Sequence, residues 1–327
     1  MNARTACRRA ALIGGASWCT ALLIARPYIF GVDWARALLL LAPLVVLPLL
    51  FETCSGVARK PAGSREWRLT VAWSVAVCAL AWAEFLPVGR SATLFASPWA
   101  AMLLAFGLRE WSVARHPLEL LRSPAVLCAR SAPLLGIVGA VWLLFDRAGV
   151  RPLDLPEELV LLTAIHFHFA GVALPLITSR LLGDRRDRLA WITAGLATGG
   201  VPLVAIGITA TQLGAPVIIE SIAAWSMALG GLLVALQLVT SAHAARGLAR
   251  VLGHGAALAL VAAMSLSVCY AARHWLDLAW MGIPWMRGVH GTLNAIGFGV
   301  LGALHVSQGR AEVCVRSPEV PRARSGT

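Results

Sequence analysis

The chain has 327 residues, of which 58% are hydrophobic and 13% charged, where an ordinary soluble domain carries about 25% charge. That balance excludes a water-soluble globule. Continuous apolar runs of roughly 20 residues point to membrane-spanning helices, not to the alternating strands of a barrel. The net charge of +12 does not indicate nucleic acid, because the arginines sit in short loops between apolar runs. The expected partner is a lipid bilayer.

In chain order, Arg4, Arg8 and Arg9 precede an apolar run over 10–25. It starts like a signal peptide, but Arg26-Pro27-Tyr28 follows directly, so an uncleaved first helix is expected. A second span, 36–56, contains Pro43 and Pro48. A third, 69–88, contains Glu84, and a fourth covers 92–108. The stretch 117–130 mixes Glu119, Arg122 and Arg130 with leucines, which predicts an interfacial helix. A fifth span covers 131–145. Glu157 and Glu158 then open the sixth, 158–182, where carboxylates suit the positive end of the helix dipole. In that span Pro175 is expected to bend the helix and Gly171 to mark a close helix contact. The seventh, 189–213, is rich in small residues that allow tight packing in lipid. The eighth, 217–240, has Glu220 one turn in, and the ninth and tenth cover 256–272 and 286–305. The expected fold is an all-α polytopic membrane bundle of about ten transmembrane helices. Residues 1–310 form a single domain and 311–327 a basic, disordered cytoplasmic tail.

The basic residues give this chain an orientation. With ten spans, 21 of the 28 basic residues fall on the side of the N-terminus. The other seven are Arg26, Arg36, Arg90, Arg147, Arg151, Arg273 and Arg287. Such an excess places both termini in the cytoplasm and the protein in the inner membrane. The seven cysteines (Cys7, Cys19, Cys54, Cys78, Cys128, Cys269 and Cys314) form no C-x-x-C pair, so neither a disulfide framework nor a zinc-thiolate site is indicated.

Polar groups at membrane depth are costly and need partners or a water-filled pocket. His166 and His168 lie about 8 to 10 residues into the sixth span, near its middle by the helical rise per residue. Glu84, Glu220, His290 and Asn294 fall at a similar or shallower depth on the same side. These six are the candidate catalytic residues, and His290, Asn294, at least one of His166 and His168, and at least one of Glu84 and Glu220 are expected to line one cavity. Each has a plainer reading. The glutamates suit an interface, and His290 with Asn294, four apart on one helix face, suits packing between helices. His166 and His168 stand about 200° apart on a regular helix, so only a distorted helix turns both to one pocket. No metal is assigned, since neither H-x-x-x-H nor H-E-x-x-H occurs. No cofactor is implied. His116, His243, His254 and His305 are expected to be solvated at the cytoplasmic face, and His274 lies at the outer interface with Trp275 and Trp280.

The run His166-Phe167-His168-Phe169-Ala170-Gly171, with Pro175 beyond it, and the run His290-Gly291-Thr292-Leu293-Asn294-Ala295-Ile296-Gly297-Phe298 together resemble the YndJ-like family of bacterial membrane proteins. The resemblance covers about 157–305. It implies a multi-pass architecture and brings no reaction with it.

Two functions fit the residues. One is an intramembrane enzyme using acid–base chemistry for cyclisation, isomerisation or hydrolysis of a lipophilic, isoprenoid-like small molecule. There Glu84 or Glu220 donates a proton, a histidine accepts one, and Asn294 orients the substrate. Phe167, Phe169, Trp82, Trp225 and Phe298 would contact the substrate, or simply pack and face lipid. The other is a proton-coupled transporter or permease for a small organic molecule, suggested by midplane histidines and the Gly-Gly-Val-Pro run at 199–202. The lack of an internal repeat counts against it.

Overall fold

The computed structural model describes residues 3–54, 64–113, 121–278 and 280–308. The expected tail and His116 lie outside them. Regular structure among the described residues is entirely helical. We number ten helices: α1 (Ala3–Ala25), α2 (32–54), α3 (Ser64–Phe85), α4 (Arg90–Val113), α5 (Pro124–Ala148), α6 (Glu157–Leu182), α7 (Arg188–Gln212), α8 (Ile218–Ala244), α9 (Gly247–Ala272) and α10 (Ile283–Gln308). Among the described residues the nine from α2 to α10 are long and apolar enough to cross a membrane. The arginines at its start leave α1 short of that measure.

Boundaries moved where polar residues sit inside helices. The interfacial helix expected over 117–130 is not what the described part of that stretch forms. Ser123 caps α5, its hydroxyl accepting from Val126 N–H at 3.2 Å, and Pro124 takes the first helical position. Serine followed by proline is a strong start signal, and it outweighs Arg130 further in. Likewise α9 begins at Gly247 and carries Arg250 and His254 within it. His305 is buried, not solvated. Its Nδ1–H donates to the Ala249 carbonyl at 2.8 Å and its Nε2 pairs with the Ser241 hydroxyl at 2.9 Å.

The bundle is centred on α6. Its most apolar stretch is 72% buried, against 22% for α3, and it packs on α2, α5, α7, α8 and α10. Three of these central helices leave α geometry. Residues Ala42–Val46 of α2, Phe167–Ala173 of α6, and Met286–His290 and Leu293–Val300 of α10 are π-helical, and the three regions touch one another. In α6 the widened turn ends just before Pro175, which has no N–H to give. Leu174 N–H already reaches back five residues, to Phe169. Gly171 is at a close contact as expected: a Cβ there would lie 3.3 Å from Leu135 Cβ on α5.

Candidate functional site

A cavity of about 280 Å³ lies beside α6, near the small end of ligand pockets, roughly 300–1,000 Å³. Its polar lining includes His166, Glu220, Arg273, Arg287, His290 and Asn294, with Thr163, Thr209, Gln212, Ser267 and Tyr270 beside them. The first six belong to the first turn of α8, the first half of α10, the end of α9 and the middle of α6. Successive helices run antiparallel, so starts and ends alternate and these positions share one end of the bundle.

On α10, His290 Nδ1–H donates to the Ala263 carbonyl at 2.9 Å. Its Nε2 accepts from Asn294 Nδ2 at 3.1 Å, and the same amide donates to the His290 carbonyl at 2.9 Å. The pattern makes His290 a neutral imidazole with both nitrogens occupied. It spends both amide hydrogens of Asn294 and leaves Oδ1 open. On α6, His166 is different: its Nε2 is buried and has no hydrogen-bond partner among the described residues. Buried polar atoms are nearly always paired, so such a group calls for an explanation.

The charges in the cavity wall are matched. Glu220, 5% exposed, accepts from Arg273 Nη2 at 2.9 Å, and the Arg273 guanidinium sits 3.7 Å above the Tyr270 ring. Arg287 pairs with Glu158 and donates to the Phe30 carbonyl, while its Nε is buried without a partner. The apolar wall includes Trp142, Phe169, Leu174, Met227, Met264 and Phe298.

Two of the six candidate residues lie elsewhere. His168 turns away from the cavity. Its Nδ1–H donates to the Ala164 carbonyl at 2.7 Å, and its Nε2 accepts from Trp99 Nε1–H at 3.0 Å. Both nitrogens are filled, so it ties α6 to α4. The two-residue step thus separates the histidines, the widened turn notwithstanding. Glu84 belongs to a buried charge cluster at the same end of the bundle. Arg36 bridges Glu84 at 2.9 Å and Asp146 at 3.0 Å, and Arg147 lies 3.6 Å from Glu84 and 2.8 Å from Asp146. Of the proposed aromatic contacts, Phe169 and Phe298 line the cavity. Phe167 packs against Gly139 and Gly171, while Trp82 and Trp225 face outward, the latter against Trp275.

Sequence reasoning missed Arg273, Arg287, Tyr270 and Trp142. A signal was present for the two arginines. Of the seven basic residues on the minority side, five pair with carboxylates: Arg36, Arg147, Arg151, Arg273 and Arg287. A cation kept against the prevailing charge bias marks a carboxylate that needs it. Among the described residues no three His, Cys, Asp or Glu side chains are grouped closely enough to share a metal ion.

No curated protein and no solved structure matches this chain. A family model does, over residues 37–298. That stretch contains both histidine motifs and every cavity-lining residue except Ala35, and it covers well over half the sequence: the chain belongs to the YndJ-like protein family.

Proposed function

We propose that this is a membrane enzyme that moves a proton on a lipophilic substrate held in the cavity, with His166 as the base. The observation that carries this reading is the buried, unpartnered Nε2 of His166 on the wall of a mostly apolar pocket. An imidazole titrates nearest neutrality among side chains and suits proton transfer. Asn294, fixed through its amide by His290, offers Oδ1 to position the substrate. A base that takes one proton and returns it elsewhere suffices for isomerisation. Cyclisation or hydrolysis needs a donor as well, and Glu220 supplies one only if its pair with Arg273 opens. The aliphatic lining, with Trp142, Phe169 and Phe298, suits an isoprenoid-like chain.

A second reading, a proton-coupled transporter, is favoured by one feature: π-helical segments of α2, α6 and α10 meeting at the bundle centre. Departures from α geometry recur at functional sites and allow helices to rock. Lipid-extract profiling of cells carrying the wild type, the His166→Gln variant or no protein separates the two. The enzyme yields a lipophilic product with the wild type alone. Unchanged extracts with altered uptake or efflux transfer the function to transport, and no change in either removes both.

The proposal includes an inner-membrane location with both termini cytoplasmic, supported by the 21-to-7 division of basic residues. Reporter fusions after Leu153 and after Arg186 then report opposite sides, and agreement between them refutes the topology.

A further inference from the structure

We propose that the ligand of this cavity is a neutral, hydroxyl-bearing lipid, its hydroxyl seated at His166 and Asn294. The inference rests on reading the cavity as a ligand site and does not depend on which reaction follows.

The first argument is the pair of open valences at His166 and Asn294. His166 has no hydrogen bond through either ring nitrogen among the described residues, its Nε2 is buried, and it lines the cavity with Asn294. Asn294 has an unspent acceptor in Oδ1, because both amide hydrogens go to His290. A hydroxyl donates one hydrogen and accepts through two lone pairs. It therefore serves His166 in either tautomer: it donates to a bare nitrogen or accepts from a protonated one. In the second case its own hydrogen remains for Asn294 Oδ1. A carbonyl has no hydrogen to give and leaves Oδ1 unmet.

The second argument is charge. Arg273 already has Glu220, and Arg287 already has Glu158. His290 is held neutral by its two hydrogen bonds. A carboxylate, phosphate or ammonium head would bring an unmatched charge into a wall where every charge is matched, and a buried uncompensated charge is strongly unfavourable. A neutral head adds none. Arg287 Nε, buried and unpartnered one helical turn before His290, gives a second acceptor oxygen on the same molecule a place nearer the end of the bundle. The chain would lie along Phe169, Leu174, Met264 and Phe298.

The test is photolabelling of the full-length protein in phosphatidylcholine nanodiscs with a diazirine-bearing twelve-carbon alcohol, read by peptide mapping. The alcohol should label α6 and α10. Excess dodecanol should suppress that labelling, and dodecanoate and dodecylamine should not. Both His166→Phe and Asn294→Leu should lower it, each roughly tenfold, the scale of one lost hydrogen bond. Thermal melts of the two variants identify any that fails to fold, and the other then carries the result. Competition by dodecanoate or dodecylamine equal to that by dodecanol overturns the neutral head. Labelling that ignores both substitutions is partition into lipid and overturns the site. Specific labelling by the alcohol with unchanged lipid extracts upholds this inference and removes the enzyme reading alone.

Discussion

Two polar regions lie at the same end of the bundle, on either side of α2. Ala35 of that helix lines the cavity, while the next residue, Arg36, reaches into the charge cluster of α3 and α5. The cluster is closed: two arginines and two carboxylates meet one another, and Arg147 also donates to the Ala83 carbonyl at 3.2 Å. Only Glu84 Oε1 among its buried oxygens lacks a hydrogen bond. The cavity uses similar chemistry differently. Its charges are also paired, but the pairs stand around empty volume, and His166 lines that volume with its Nε2 buried and uncommitted. Polar groups that fill one another hold helices together. Polar groups that stop short of filling one another are available to a ligand.

The cluster should be where stability is lost most heavily. Replacing Arg147, about 1% exposed, with Met leaves Glu84 and Asp146 facing a single cation. Truncating one partner of a buried ion network costs about 3–5 kcal/mol. Thermal or denaturant unfolding in nanodiscs should show a loss of that order, with photolabelling of the cavity retained in whatever protein remains folded. A loss under about 1 kcal/mol would mean that the cluster is well hydrated and does not clamp α2.

The same contrast recurs inside α6, between residues two apart. His168→Phe removes an acceptor from Trp99 and leaves a buried indole N–H unpaired, at a cost of about 1–3 kcal/mol. His166→Phe removes nothing that is paired, so its melting curve should barely move while labelling falls. Reversed outcomes, with His166 needed for folding and His168 for ligand, would exchange the two roles.

The wall of the cavity offers a test of packing within α7. A Cβ on Gly207 would meet Ala223 Cβ at 2.9 Å and Glu220 Cα at 3.1 Å, both fixed points on α8. Gly207→Ala should therefore force α8 outward at Glu220 and cost about 1–3 kcal/mol. Gly195→Ala, three turns earlier with nothing within 4 Å, should instead gain about 0.5–1 kcal/mol by helix propensity. Equal effects on unfolding would show that α7 and α8 are not in tight contact near the cavity.

Much of this was legible in sequence because lipid enforces simple rules. Apolar runs gave the helices, and depth counted along each helix brought His166, Glu220, His290 and Asn294 to one level. What stayed hidden depended on rotation about helix axes. Nothing in the sequence says that His168 would find Trp99, some seventy residues earlier, or that Glu84 would find Asp146 and two arginines. The ends of α5 and α9 were misplaced for a related reason. Arg130, Arg250 and His254 look like loop residues, yet they lie within the helices, Arg250 exposed and the other two half-buried.

The smallest predicted effect concerns an ion pair that is neither buried nor beside the cavity. Asp187 caps α7, its carboxylate accepting from Arg185 Nε at 2.9 Å and from Ala190 N–H at 3.1 Å. It lies in the loop before the helix, outside the membrane-spanning segments. The Arg185 hydrogen bond, and after it the Ala190 amide, hold the carboxyl below its ordinary value. A carboxylate whose folded pKa is depressed contributes its stabilisation fully above the unfolded value, about 3.9. It loses that contribution as pH falls through the lower folded value. Water screens so exposed a pair, and the effect should be local. Amide exchange in the first turn of α7 should thus be flat with pH, once corrected for intrinsic rates, from neutrality down to about the ordinary carboxylate range. Below that range it should quicken. Asp187→Asn keeps an oxygen to cap Ala190 but has no proton to gain, so its exchange should stay flat throughout. If the acid-induced quickening persists in that variant, the source is another group, and the first turn of α7 owes nothing to this pair.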